Sequence, residues 1–92
     1  MKKRVIARLF ITNGSIEAFK KQAELIIQKT RAEGGCRCYS LFQDVSNTGE
    51  FLFYEEYADQ NALDVHFKSE YLGAFLKSID SMQSKRAMVE VL

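Results

Sequence analysis

The sequence predicts an α+β fold of the ferredoxin-like type, β-α-β-β-α-β, with an antiparallel four-stranded sheet and both helices on one face. Three observations predict it. Four short runs rich in Val, Ile, Phe and Tyr are separated by stretches of helical periodicity. Gly34-Gly35 and the Ser-Asn-Thr-Gly run at 46–49 punctuate the chain where such a fold must turn. A length of 92 residues, 47% of them hydrophobic and 12% aromatic, provides one packed domain over 1–92.

The elements follow in order. Residues 5–11 (VIARLFI) form a first strand, bounded by basic residues before it and Thr-Asn-Gly after it. Ser15 stands where a helix cap belongs, with Glu17 in the first turn favoured by the helix dipole. Ile16, Phe19, Ala23, Ile26 and Thr30 recur along one stripe of that helix, and Gly34-Gly35 ends it. Residues 36–44 (CRCYSLFQD) and 50–58 (EFLFYEEYA) form a hairpin around the turn at 46–49. Asp59 caps a second helix carrying Ala62, Leu63, His66 and Phe67. Ser69 restarts it, with Leu72, Phe75, Leu76 and Ile79 as a new stripe. Residues 85–92 (KRAMVEVL) make the last strand.

Strand alternation then sorts the faces. Val5, Ala7, Leu9 and Ile11 share one side of the first strand, and Ile6, Arg8 and Phe10 the other. In the third strand Phe51, Phe53, Glu55 and Tyr57 point one way, and Leu52, Tyr54 and Glu56 the opposite way. Neither side is polar, yet two helices cover only one. Ile6, Phe10, Leu52, Tyr54 and Met88 would be left in water, so the expectation is a homodimer packed sheet against sheet, a dimeric α+β barrel.

Two adjacent glutamates inside an aromatic strand need partners, because burying an ionised carboxylate alone is costly. Arg8 shares the outer side with Glu56 and could pair with it across strands or across subunits. On the inner side the phenol of Tyr57, the imidazole of His66, or both can serve Glu55. His66 is the only histidine of the chain and lies on an inward-facing part of the second helix. Glu55, Tyr57, His66 and Tyr71 therefore converge between sheet and helices, beside Phe51 and Phe53. That is the setting of a small-molecule pocket with acid–base capacity, and imidazole, with an unperturbed pKa of about 6.5, suits proton abstraction.

Composition excludes several classes. Thirteen basic against twelve acidic residues leave a formal charge of +1, with no strong electrostatic pull toward nucleic acid or anionic membrane. The run GEFLFY has the aromatic character of an RNA-binding strand, but Glu55 and Glu56 follow it at once. No apolar run approaches the ~20 residues of a membrane span. The start, MKKRVIARLF, reads as a strand rather than a secretory signal, so the cytoplasm is the expected location. Cys36 and Cys38, two apart in a strand, point to one face and are poorly placed to bridge. With one histidine elsewhere they make no metal set.

The runs GGCRCYSLFQD and FLFYEEYADQNALDVHFKSEYLGAF resemble the antibiotic biosynthesis monooxygenase (ABM) family over essentially the whole chain. That family comprises small dimeric ferredoxin-like proteins, including quinol monooxygenases and the isomerase of phosphorylated autoinducer-2. The most specific part is Tyr-Glu-x-Tyr, then Asp, then Ala-Leu-x-x-His, then Ser and a late Phe, here Tyr54 to Phe75. The resemblance implies that His66 is the helix histidine facing the cavity, with Glu55 and Tyr57 beneath it and Tyr39 as the second-strand aromatic. Relatives often carry a second histidine in a Ser-Pro-His segment, where this chain has Ser69-Glu70-Tyr71; Tyr71 can still donate a hydrogen bond. Relatives also often carry Leu-Arg before the second-strand tyrosine, and Arg37-Cys38 stands here. A haem-degrading branch uses an asparagine, a tryptophan and a histidine at positions that hold Ala7, Tyr57 and Leu76 here, so haem degradation is not expected. The resemblance implies catalysis without metal, flavin or other cofactor, in which His66 deprotonates a small electron-rich substrate. The anion then reacts with O2, or is reprotonated elsewhere as in an isomerase. A non-catalytic small-molecule-binding dimer is the remaining alternative.

Overall fold

The computed structural model describes residues 1–92. Strands β1 (Lys3–Ile11), β2 (Cys36–Gln43), β3 (Glu50–Tyr57) and β4 (Gln83–Val91) form one sheet in the order β2-β3-β1-β4, each neighbouring pair antiparallel. Helix α1 (Ile16–Arg31) connects β1 to β2, with β3 lying between those two strands. Helices α2 (Gln60–Phe67) and α3 (Glu70–Ile79) connect β3 to β4. This is the ferredoxin-like α+β arrangement, its second helix broken in two.

Local chemistry accounts for most boundaries. Asp59 Oδ1 accepts from the Ala62 amide at 2.9 Å and starts α2. Ser69 Oγ accepts from the Leu72 amide at 3.4 Å and starts α3. Ser15 differs from the expectation. It precedes α1 but sits at ψ near 0° after a 3-10 turn, and its hydroxyl meets Thr12 at 3.1 Å instead of a helix amide. The hairpin between β2 and β3 is held by Asp44 Oδ2, which accepts from the Ser46 and Asn47 amides at 2.9 and 2.8 Å. Gly49 closes that hairpin against β1, where an added Cβ would stand 2.4 Å from the Ile11 carbonyl oxygen.

Burial in β3 alternates strictly, and Phe51, Phe53, Glu55 and Tyr57 all face the helices. The core gathers around Phe19 of α1, whose ring lies 4.7 Å from Phe51 and 6.2 Å from Phe75 of α3. Full burial of side chains such as Phe19, Ile26 and Ile79 contributes about 1.5–3 kcal/mol each. Ile16, at the edge of the predicted α1 stripe, is only half-buried.

Four expectations are corrected by register and packing. Within the chain Arg8 pairs with Glu50, at 2.8 Å, and not across strands with Glu56. Its cross-strand partner is Leu52, which puts Glu50 on the nearest diagonal, while Glu56 sits opposite Arg4 and pairs with Lys2 at 2.9 Å. Phe10 is buried and not left in water, because Lys85 Nζ lies 4.1 Å from its ring centroid and the Arg8 guanidinium 5.6 Å away. Cys36 and Cys38 face opposite sides of the sheet. A bulge between them pairs Cys36 with Tyr57 and Cys38 with Glu56, so Cys36 packs inward and both thiols stay free. Gly34-Gly35 does not end α1 through a left-handed cap, since no glycine has positive φ and Ala32 is the C-cap. Gly35 instead permits contact: a Cβ there would stand 2.3 Å from Ala62 Cβ, so the turn is pressed against α2.

Candidate active site

Strand β3 and helix α2 bring two of the predicted groups together. His66, one turn beyond Ala62, is 1% exposed and projects between the rings of Tyr57 and Tyr39, at 5.3 and 5.5 Å. Its Nε2 lies 3.9 Å from Glu55 Oε1, beyond direct hydrogen-bond range, and that same oxygen accepts from the Tyr57 hydroxyl at 2.7 Å. Of the two partners anticipated for Glu55, Tyr57 donates to it and His66 stands just beyond hydrogen-bond range.

The other side of the imidazole meets a group that the sequence reading missed. Glu33, in the turn after α1, places Oε2 3.0 Å from His66 Nδ1 and also accepts from the Tyr71 hydroxyl. Its side chain is almost buried, and Oε1 has no hydrogen-bond partner. One signal for it was available. An acid just past a helix C-terminus opposes the helix dipole, so a carboxylate retained there calls for a compensating donor.

A cavity of about 330 Å³ opens beside His66, between the inner side of the sheet and helices α2 and α3. Its wall includes His66, Glu55, Phe53 and Tyr39 of the predicted set. The rest is mainly aliphatic, with Leu72, Leu76 and Ile79 from the helices and Val5, Ala7 and Val89 from the strands. Gln83 is the only other polar side chain on the wall. Three predicted site residues lie off the cavity. Phe51 is in the core against Phe19, Tyr57 is fully buried behind Glu55, and Tyr71 stands on the far side of Glu33.

Burial sets the protonation preferences. Removal from water pushes the Glu55 carboxyl above the usual carboxylate range, partly offset by the Tyr57 hydrogen bond and the neighbouring His66. The Tyr39 and Tyr57 phenols are pushed well above the ordinary phenol value, first by burial and then by Glu55. Tyr71 is raised to about 12 by burial and by its bond to Glu33, so its hydroxyl keeps its hydrogen as a donor. Burial, with Glu33 nearby, also pushes the Cys36 thiol up. The cavity therefore offers one imidazole and one reluctant carboxylate in a wall that is apolar apart from Gln83 and the Tyr39 phenol.

Comparison with known proteins agrees with this architecture. The sequence profile of the antibiotic biosynthesis monooxygenase family matches residues 4–78. Rv0793 of Mycobacterium tuberculosis, whose name carries a provisional monooxygenase assignment, is 31% identical over 88 residues, covering 96% of this chain and 86% of that protein. The uncharacterized protein sll1783 of Synechocystis sp. is 31% identical over 75 residues. That match covers 82% of this chain and only 51% of the Synechocystis protein, so the chain spans about half of that relative's length. Among solved structures, an antibiotic biosynthesis monooxygenase superposes with a TM-score of 0.93 at 32% identity, covering 98% of this chain and 95% of the other. The Rv0793 structure does so with a TM-score of 0.93 at 29% identity, covering 100% of this chain and 93% of the other.

Proposed function

The chain belongs to the antibiotic biosynthesis monooxygenase family, and from that premise we propose that it is a cofactor-independent monooxygenase acting on a planar, uncharged, quinol-like substrate. The observation that carries this reading is His66 at the polar end of an apolar cavity. The imidazole Nε2 takes the proton of a substrate hydroxyl, and the ring lies along the aliphatic wall. For a naphthoquinol the atoms balance simply: quinol plus O2 gives hydroxyquinone plus water. All four electrons come from the substrate, two in reaching the quinone level and two in the hydroxylation.

The wall also argues against the phosphorylated-ketone isomerase. Its only ionisable groups besides the tyrosine phenol are His66 and Glu55, and no lysine or arginine stands there to receive a phosphate. A neutral substrate suits it better.

We also read the outer side of the sheet as a homodimer interface. Phe42 and Met88 are 56% and 57% exposed there, beside half-buried Ile6, Leu52 and Tyr54. No helix of the chain is long and apolar enough to cross a membrane. The two unbridged thiols suit a reducing compartment, and we assign the protein to the cytoplasm.

Oxygen consumption with a panel of naphthoquinols, autoxidation subtracted, tests the reaction. Protein-dependent uptake that falls about 10²–10⁴-fold in His66→Ala is the expected result, the usual scale for losing a general base. Uptake equal in wild type and His66→Ala removes His66 from the chemistry.

A further inference from the structure

Glu33 is the nearly buried carboxylate to which the reaction above gives no task. It does not line the cavity, so it does not touch substrate. It is nevertheless held firmly. Its amide donates to the Thr30 carbonyl at 3.0 Å, and its carbonyl accepts from the Cys36 amide at 3.1 Å. Gly35, two residues on, fixes the turn against Ala62, one helical turn before His66.

The hydrogen-bond inventory around the imidazole is decisive. An ionised carboxylate only accepts, and the Tyr71 hydroxyl already donates to Glu33 Oε2. At 3.0 Å from that oxygen, His66 Nδ1 must therefore carry a hydrogen, since two facing lone pairs would repel. A neutral imidazole carries one hydrogen, so Nε2 is left with its lone pair. On that side Glu55 Oε1 stands 3.9 Å away with a Tyr57 donor of its own, and it imposes no competing tautomer. We propose that Glu33 is a positioning residue that fixes His66 in the Nδ1–H tautomer and so presents a basic Nε2 to the cavity. The functional part of this rests on His66 being the base, as read above; the tautomer itself does not.

Because the chain has a single histidine, its imidazole nitrogens can be read without ambiguity. A long-range proton–nitrogen correlation spectrum of the uniformly ¹⁵N-labelled protein, without substrate, at about pH 9, is recorded well above the ordinary imidazole titration near ~6.5. The expected result is a pyrrole-like Nδ1 and a pyridine-like Nε2. Glu33→Gln, whose amide can donate to Nδ1, is expected to move the hydrogen toward Nε2, and Tyr71→Phe to leave the wild-type pattern in place. A pyridine-like Nδ1 in the wild type, or an unchanged spectrum in folded Glu33→Gln, overturns the proposal whatever the activity shows.

In turnover, Glu33→Gln is expected to lower kcat about 10²-fold or more with KM within about twofold, because ground-state contacts are untouched. If His66→Ala abolishes turnover while folded Glu33→Gln keeps it, Glu33 is not the positioning residue and the base assignment survives. If neither variant loses turnover, the base assignment fails and the functional part of the proposal fails with it. Should Glu33→Gln not fold, the wild-type spectrum and Glu33→Asp, which keeps the carboxylate and is expected to keep the tautomer, decide the matter.

Discussion

Gly35→Ala tests whether the turn carrying Glu33 is packed against α2 as tightly as the geometry indicates. The added Cβ would lie 2.3 Å from Ala62 Cβ and 3.3 Å from Ala62 Cα, while ordinary contact begins at 3.4 Å. Relief therefore requires a displacement of at least about 1.1 Å, the difference between 3.4 and 2.3 Å. Neither partner has a flexible end that can swing aside, so the turn or the α2 backbone must move. Forcing one carbon into a closed contact of this kind costs about 1–3 kcal/mol. The neighbouring Gly34 is a matched control. A Cβ there meets nothing within 4 Å, and no glycine in the chain has positive φ. Gly34→Ala is expected to be neutral, or to stabilise by about 0.4–1 kcal/mol through the unfolded chain. Urea unfolding of both variants beside wild type supplies the comparison, and each kcal/mol corresponds to roughly 4–8 °C in Tm for a domain of this size. Since Ala62 is one turn from His66, Gly35→Ala should also disturb the Glu33–His66 contact and change the imidazole nitrogen spectrum. Equal stabilities for the two alanine variants would refute the packing argument, and with it the idea that Gly35 registers Glu33 on His66.

Two further outcomes are expected. The native Glu55 carboxyl binds its proton more tightly than in the unfolded chain, where about 4.5 applies, so the native state holds more protons as pH rises above 4.5. The contribution of Glu55 to stability then falls with rising pH up to its native pKa, by at most about 1.4 kcal/mol per pH unit. The stability difference between Glu55→Gln and wild type should accordingly grow in favour of the variant across that window, and a difference flat with pH in urea titrations would contradict the burial argument. For the outer face, sedimentation equilibrium should give twice the 10.6 kDa chain mass for wild type and the single mass for the double variant Phe42→Glu, Met88→Glu. A wild type that sediments as one chain at micromolar concentration would remove the interface.

The parts of the fold legible in the sequence were those set by local rules. Period-two burial in β3 and the inward side of β1 follow from alternation alone. Asp59 and Ser69 announce α2 and α3 because a cap is a contact within three residues. What escaped was set by register and by distant partners. Alternation places both Glu50 and Glu56 on the side of Arg8, and only the pairing of Arg8 with Leu52 selects Glu50. The bulge at Arg37 carries no local marker, and it reverses the side of Cys36 relative to Cys38. Glu33 lies in a turn without periodicity, 33 residues from His66 and 38 from Tyr71. His66, Glu55 and Tyr57 came from two adjoining elements and could be grouped in advance; Glu33 joined them through a helix end that tertiary packing alone brings there.

The resulting division of the cavity has a chemical consequence for the proposed reaction. All of its acid–base capacity lies at one end, where His66 stands between Glu33 and Glu55, and the remaining wall is chiefly aliphatic and aromatic carbon. In the proposed reaction a quinol hydroxyl at the polar end would lose its proton there, and the remaining charge would spread through a ring placed along the apolar wall, which includes Leu72, Leu76 and Val89. That part of the wall gives the anion little of the hydrogen bonding that water would supply, so its electrons are held less tightly than in solution. Glu55 is compatible with an anion nearby because burial already favours its neutral form, which repels less than a second carboxylate would. The proposed reaction would thus take the proton where hydrogen-bond partners are concentrated, beside a wall whose only other polar side chains are Gln83 and Tyr39.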